Sequence, residues 1–381
     1  MVSSFWLYGH NFTHTGAPLV LAEIARELKS HDLKFQVRLL SWGGLHDRRY
    51  SSLQHELAEE GFQVTVLETD QPPPRPARGD RVLLNTLALP VRVIDQVLSW
   101  RRAGRISRLD WYAHEGNPSA WLPGDVWPQR LREAFERGEL HMRVPSSYTR
   151  VVYERWLAWS GSALAAQNPR VCLPVSKSQT LSWDRLRIHL TGMVGCGQKG
   201  HLWALRWIER ALLLRPQGSP GLRDVELHFV GLESGSYAAL ARHIEQRASL
   251  LLGSSFYKYP HGDREQSLKA MGRANVALSC SLEAAGLETF SLVAAESMAL
   301  GQVLLRNRTG GWDEQIVDGC TGFDLGSPTL DVLPEHLQLL QRLRDPACFS
   351  DQALTAIGAA ASQHAQSFAT VRYVDWLLAK A

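Results

Sequence analysis

Cysteine is scarce in this chain of 381 residues: Cys172, Cys196, Cys280, Cys320 and Cys348 are an odd number, widely spaced, with no Cys-x-x-Cys pair. A disulfide framework and a zinc site are therefore not expected, and a reducing compartment fits. Net charge is equally slight. Forty-one Lys and Arg against 38 Asp and Glu leave a formal +3, spread along the chain, so no nucleic-acid footprint is present. No run approaches the roughly 18 consecutive apolar residues that span a bilayer. The opening MVSSFWLYGHNFTHTGAP lacks the basic start and apolar core of a secretory leader. A cytoplasmic protein is expected, with loose attachment to the inner membrane face left open. There is no Asp-x-Asp to bridge a divalent ion and a diphosphate, and no Gly-Lys-Ser/Thr phosphate loop of a nucleotide hydrolase. His10, Asn11 and His14 cluster near Gly16 without ligand spacing, so no metal site is expected.

What the chain does have is an ordinary globular composition, 45% hydrophobic and 21% charged, in a length comfortable for two cores. Short apolar runs of strand character recur at 5–8, 35–40, 62–67, 81–86 and 109–114, then at 188–194, 225–231, 275–281 and 302–307. Segments of helical period lie between most of them. In the first, Pro18 suits a first turn and Leu21, Ile24, Ala25 and Leu28 follow at three- and four-residue steps. Strand–helix alternation predicts an α/β protein with parallel sheets covered on both faces. The strands fall into two series around the Pro-containing stretch 166–180, which predicts domains at 1–167 and 168–364. The last helix, 365–381, can pack on either domain, including back onto the first. QPPPRPARGD at 71–80 reads as an exposed loop.

The most informative segment is SLEAAGLETFSLVAAESMALG, 281–301. A strand ends, a loop follows, and a helix begins near Ser291. Glu288 lies in the loop, and Glu296 stands eight positions on, about one and a half turns inside the helix. The unpaired amides of a helix N-terminus near Ser291, Leu292 and Val293 suit a diphosphate. Glu296 tilts back toward that end and can accept from ribose hydroxyls, while Glu288 reaches the sugar beyond. An isolated pair of acids would more simply be read as favouring the helix dipole in solvent.

The surrounding residues decide between these readings. ETFSLVAAESMALG resembles the signature of the family-4 retaining glycosyltransferases, matching the Glu–seven residues–Glu spacing, Phe290, and Glu296, Met298, Ala299 and Gly301. Three more segments precede it, in the order of that family, and a fourth follows it. HTGAPLVLAEIARELKS resembles its Gly-Ala-Pro turn, where Gly16 lets the backbone approach a ligand; a plain turn capped by Thr15 is the simpler alternative. DWYAHEGN puts His114 at the C-terminal end of a strand, where open α/β sheets bind ligands, with Glu115 following. TGMVGCGQKGHLWALRW resembles the first strand–turn–helix of the donor domain, with Lys199 as its lysine. The family's arginine five residues earlier is Val194 here, with Met193 adjacent, and the loop is one residue longer. RTGGWDEQIVDGCTGFDL, 308–325, resembles the family's Gly-Gly turn and following acid, Glu314, although Gln302 replaces the usual proline.

The resemblance covers most of 13–325 and implies a GT-B fold, two Rossmann-like doubly wound domains facing across a cleft. It implies a first domain binding a saccharide, lipid-linked or small-molecule acceptor, and a second binding a nucleoside-diphosphate sugar of UDP or GDP type. The reaction implied is metal-independent hexose transfer to a hydroxyl with retention, with no cofactor beyond the nucleotide-sugar co-substrate. Glu288, His114 and Lys199 would be catalytic. Gly16, Ser291, Leu292, Val293, Glu296, Thr289 and Phe290 would hold the donor. Lys199 would stabilise the leaving diphosphate. Base recognition is expected around Phe256–Tyr259. Trp111 and Trp121, two of eight tryptophans before residue 160, would serve as core or acceptor stacking.

Three rivals stand beside this reading. Gly195, Gly197 and Gly200 form a G-x-G-x-x-G fingerprint, but the acid it requires about 20 residues on is missing, since Glu233 lies too far along. The others are a nucleotide-sugar epimerase or phosphorylase on the same fold, and a catalytically silent member that binds a glycan or partner.

Overall fold

The computed structural model describes residues 4–13, 16–31, 35–42, 52–171, 181–194, 197–231, 237–260, 264–282 and 288–379. His14, Thr15, Cys172, Gly195, Cys196 and Glu233 lie outside them. The chain divides into two compact units, Met1–Arg170 with Val371–Ala381, and Val171–Thr370.

The first unit runs β1 (Ser4–Gly9), α1 (Gly16–Ser30), β2 (Gln36–Ser41), α2 (Ser52–Glu59), β3 (Gln63–Val66), β4 (Arg81–Leu84), α3 (Val91–Arg102), β5 (Arg108–Tyr112), α4 (Pro118–Trp121), α5 (Val126–Glu136), β6 (His141–Val144), α6 (Ser147–Leu157) and β7 (Leu164–Ala166). Its seven strands lie in the order β3-β2-β1-β4-β5-β6-β7, and the pairings are parallel. Both faces are covered, so β1, β4 and β5 bury nearly every side chain and read in sequence as unbroken apolar runs. Tyr8, Val82, Leu84 and Trp111 build the core with Val93, Ile94 and Val97 of α3. Each fully buried Leu or Val there stabilises the fold by about 1.5–3 kcal/mol. The proline-rich loop is pinned at its end: the buried Asp80 carboxylate accepts from the Ser4 amide, Trp6 Nε1 and the Ala77 amide, each at 2.8 Å.

The second unit runs β8 (Arg185–Thr191), α7 (His201–Leu214), β9 (Asp224–Gly231), α8 (Ala238–Leu252), β10 (Phe256–Pro260), α9 (Arg264–Met271), β11 (Val276–Ser279), α10 (Leu292–Ala299), β12 (Val303–Arg306), α11 (Trp312–Gln315), β13 (Gly322–Asp324), α12 (Pro334–Arg344) and α13 (Asp351–Ala369). Its strands take the order β10-β9-β8-β11-β12-β13, again parallel. One sheet face packs on α7, α8 and α12 through Ile188, Trp207, Leu227 and Leu340. The other packs on α10 and α13 through Leu304, Ala294, Met298 and Ala361. The Gly301–Gly358 approach between those layers is so close that a Cβ on Gly358 would sit 2.0 Å from the Gly301 oxygen.

The last residues return to the first unit, ending in α14 (Val374–Leu377). Glu27 of α1 accepts from the Tyr373 and Val374 amides at 3.1 and 3.3 Å, and Arg108 donates to the Trp376 carbonyl at 2.7 Å.

Both sheets reverse their strand order beside the first strand of the unit, between β1 and β4 and between β8 and β11. In open α/β sheets that switch point, at the carboxyl ends of the strands, is where ligands bind.

Candidate functional site

At the switch point of the second unit, β8 gives way to Gly192, Met193 and Val194, and the loop resumes at Gly197–Gly200 before α7. Small residues are required here. Gly200 has φ +71°, and a Cβ on it would lie 2.4 Å from Cys280 Sγ and 2.5 Å from the Cys280 oxygen. A Cβ on Gly192 would meet the Lys199 stem at 2.8 Å. The loop is tied to the end of β11, with the Leu282 amide donating to the Gln198 carbonyl at 2.9 Å. Lys199 is thereby held beside the segment that follows β11.

That segment carries Glu288. Lys199 Nζ donates to Glu288 Oε2 at 2.7 Å, and Ser281 Oγ donates to the same oxygen at 3.2 Å. Burial opposes the charged form of Glu288, but Lys199, then Arg306 and Ser281, outweigh it and hold the carboxyl below the usual carboxylate range. Glu288 is therefore a carboxylate at neutral pH, in contact with a cation.

Two residues on, Phe290 turns into an apolar cluster with Val171, Ala295 and Phe368, its ring 5.2 Å from that of Phe368. Any ligand contact from Phe290 falls to its backbone. Thr289 is buried. Ser291 is the N-cap of α10, its Oγ accepting from the Ala294 amide at 3.2 Å, and the Ala295 amide bonds back to the Ser291 carbonyl. The Leu292 and Val293 amides are left as the donors at the open end of the helix. Gln315 Nε2 donates to the Ser291 carbonyl at 2.8 Å and fixes that end. Glu296 is nearly buried and accepts from Arg264 Nη2 at 2.6 Å. Burial raises its pKa, with Arg264 opposing.

Glu288, Lys199, Thr289, Ser291, Leu292, Val293 and Glu296 thus all come from the loops and helix at one switch point. Val194, where the resembled family has an arginine, is 2% exposed and part of the apolar core. Gln302, where that family has proline, is also core: its amide donates to the Met271 and Ala274 carbonyls and its oxygen faces His189 at 2.9 Å. That substitution is structural, linking β8, α9 and β12. Glu314 lies on α11, and its carbonyl accepts from His364 Nε2 at 2.8 Å.

The first unit presents a different set at its own switch point. Gly16 opens α1 and is exposed. Asn85, just past β4, donates from Nδ2 to the Ala17 carbonyl at 2.7 Å, which aims its Oδ1 at His114 Nε2, 3.2 Å away. That orientation places the imidazole proton on Nε2. Burial, with His10 adding to it, pushes the His114 pKa down to about 3, so the ring is neutral. Tyr112 packs on it at 4.4 Å. Glu115 points elsewhere: it accepts from Thr86 Oγ1 and from the Leu87 amide, bracing the loop after β4. Trp111 is fully buried with its Nε1 on the Thr86 carbonyl, a core residue, whereas Trp121 is 47% exposed on α4.

Sequence reasoning missed Asn85, Arg264 and Arg306. Asn85 and Arg306 carried a faint signal, a polar residue closing an apolar strand run. Arg264 carried none. Among the described residues no group of three or more His, Cys, Asp or Glu is arranged to hold a metal ion, and no helix is long and apolar enough to cross a membrane.

No family model matches this chain, and no curated protein matches it. Solved structures do. The Anabaena protein HepE in complex with UDP and glucose is similar over 99% of this chain and 98% of its own, at 14% identity and a TM-score of 0.70. A glycosyltransferase from Rickettsia africae is similar over 97% and 94%, at 12% identity and a TM-score of 0.67. Sucrose-phosphate synthase from Thermosynechococcus elongatus is similar over 99% and 96%, at 15% identity and a TM-score of 0.62. At such identities the likeness carries the fold: two Rossmann-like parallel-sheet domains, the GT-B class.

Proposed function

We propose that the chain is a retaining glycosyltransferase that moves a hexose from a nucleoside-diphosphate sugar to a hydroxyl of a saccharide, lipid-linked or small-molecule acceptor. The observation that carries this reading is the Lys199–Glu288 pair, 2.7 Å apart, at the switch point of the second sheet and in the same connection as the open end of α10. HepE, bound to UDP and glucose or to UDP-glucose, supports a donor of the UDP type.

In the proposed reaction the diphosphate lies on the Leu292 and Val293 amides and draws Lys199 away from Glu288. The charge that develops on the leaving diphosphate is then met by Lys199 and the helix end, already oriented before the bond breaks. Glu288, released from Lys199, takes the sugar hydroxyls. Glu296 takes the ribose, exchanging part of its bond to Arg264. His114, neutral and held by Asn85, is the proposed sugar contact; as a dipole rather than an imidazolium it does not repel positive charge growing at the anomeric carbon. Holding donor and acceptor together supplies the orientation that a bimolecular encounter lacks.

The test is turnover. Incubation with UDP-glucose and with GDP-mannose should release the matching nucleoside diphosphate from one donor, in EDTA as well as in magnesium. Product anomers read by NMR should keep the donor's configuration. Neither donor consumed under any condition would remove the reading. The core Val194 in place of an arginine favours one alternative, a protein that binds the donor or a glycan without turnover; it predicts nucleotide binding without release.

A further inference from the structure

β12 is built of Val303, Leu304 and Leu305, all in the core, and then ends on Arg306, which is 0% exposed. Alternation along the strand puts the arginine on the Leu304 side, the face covered by α10 and α13. Only one of its nitrogens is bonded there: Nη2 donates to the Thr309 carbonyl at 2.9 Å and the Gly310 carbonyl at 2.7 Å, while Nε and Nη1 have no partner among the described residues. A guanidinium taken wholly out of water without a contact counter-ion is costly, so this one calls for a reason.

The reason lies in what the two carbonyls belong to. Residues 309–310 are pressed against the Glu288 segment so tightly that a Cβ on Gly310 would fall 1.3 Å from the Glu288 oxygen and 3.0 Å from the Thr289 Cα. Arg306 therefore grips the strip of backbone on which Glu288 rests. Its charge also faces Glu288, Asp313 and Glu314, and burial, opposed by those three acids, lowers its own pKa to about 10. The groups that act on Glu288 are Lys199 from the glycine loop, Ser281 from the end of β11 and Arg306 from the end of β12.

We propose that Arg306 is a positioning residue for Glu288, a fixed buried cation that holds the Glu288 segment from behind and supplies its counter-charge once Lys199 turns to the diphosphate. Lys199 is 35% exposed on its side chain and sits in a glycine-rich loop, so it has somewhere to go; Arg306 does not. The inference rests on the proposed function for its purpose, though not for its test.

The test uses the full chain as wild type, Arg306→Gln, Arg306→Lys, Glu288→Gln and the double variant Arg306→Gln/Glu288→Gln. Unfolding midpoints are followed from about pH 8 down to about pH 2. A carboxylate held below its unfolded value contributes stability that is present above that value and lost as pH falls through the folded one. In Arg306→Gln this acid-side loss should be smaller and should end about one pH unit higher, a tenfold change in the protonation equilibrium of the folded state. It should stay at the wild-type position in Arg306→Lys, and the difference made by Arg306→Gln should vanish in the Glu288→Gln background. Buried histidines titrate alike in all variants and cancel in the cycle. A shift that persists undiminished without Glu288, or no shift at all, overturns the proposal. Should Arg306→Gln fail to fold, Arg306→Lys carries the test alone: the wild-type acid limb is expected, and a limb raised by a unit overturns it. The acid limb of UDP-glucose turnover should move in step. A wild type that does not turn over donor defeats the functional reading and leaves the cycle to decide this one.

Discussion

The two sheets share one strand order around their switch points, and they finish it in opposite electrostatic styles. In the first unit the crevice end is neutral. His114 is neutral and held by an amide, His10 is likewise shifted down by burial, and Glu115 is spent on the Thr86 hydroxyl and the Leu87 amide. In the second unit the same place is ionic, with Lys199 on Glu288, Arg264 on Glu296 and Arg306 behind. The topology sets where a ligand goes, and the side chains at the strand ends set what charge it carries. On the proposed reading a diphosphate goes to the second unit and uncharged hydroxyls go to the first.

That contrast can be broken at its strongest point. Glu288→Ala should abolish donor turnover while circular dichroism shows the fold kept; retained turnover removes Glu288 from the reaction. Lys199→Met should cost roughly 10²–10³-fold in kcat, the usual loss for one preorganised charge-stabilising donor, and a loss confined to KM would make it a binding residue only. Gly310→Ala adds a Cβ where the Glu288 carbonyl stands, so overpacking should lower stability by about 1–3 kcal/mol in denaturant unfolding. Stability unchanged with turnover intact would mean that the strip is not pressed on Glu288. The smallest effect concerns the neutral side. A histidine whose folded pKa lies below its ordinary 6.5 lets the unfolded chain take up a proton first, so stability is lost as pH falls from 6.5 toward about 3. His114→Gln should flatten part of that slope and leave the pH–rate profile between about pH 6 and 8 unchanged. A limb near 6.5 that disappears in the variant would show the ring to be charged in function.

Much of this was legible in the sequence, and the pattern of failure is physical. Interior strands β1, β4, β5, β8, β9, β11 and β12 are covered on both faces and announce themselves as apolar runs. The strands not foreseen were β6, β7, β10 and β13. Three of these are sheet edges, with a neighbour on one side only. Two are just three residues long, and β10, FYKYP, leaves Tyr257, Lys258 and Pro260 exposed, so nothing in its composition demands a strand. At the candidate site, spacing placed Glu288 and Glu296 on a loop and the helix after it. It could not show the partners. Arg264 bonds Glu296 from 32 residues away, and Arg306 acts on Glu288 from the end of β12 without a hydrogen bond to it, so spacing ties neither to its acid. Gln302 read as a departure from a pattern and is instead a buried bracket with three polar contacts.

The central claim, a nucleoside diphosphate held by the second unit, is tested most directly by thermal unfolding with UDP, GDP, ADP and NAD, each in magnesium and in EDTA, on wild type and Lys199→Met. Binding to the folded state alone adds about 2.7 kcal/mol at a hundredfold excess over Kd. The account predicts a raised midpoint with one of the first two nucleotides, indifferent to EDTA and much reduced in Lys199→Met. A rise with NAD alone, or an equal rise in Lys199→Met, would contradict it.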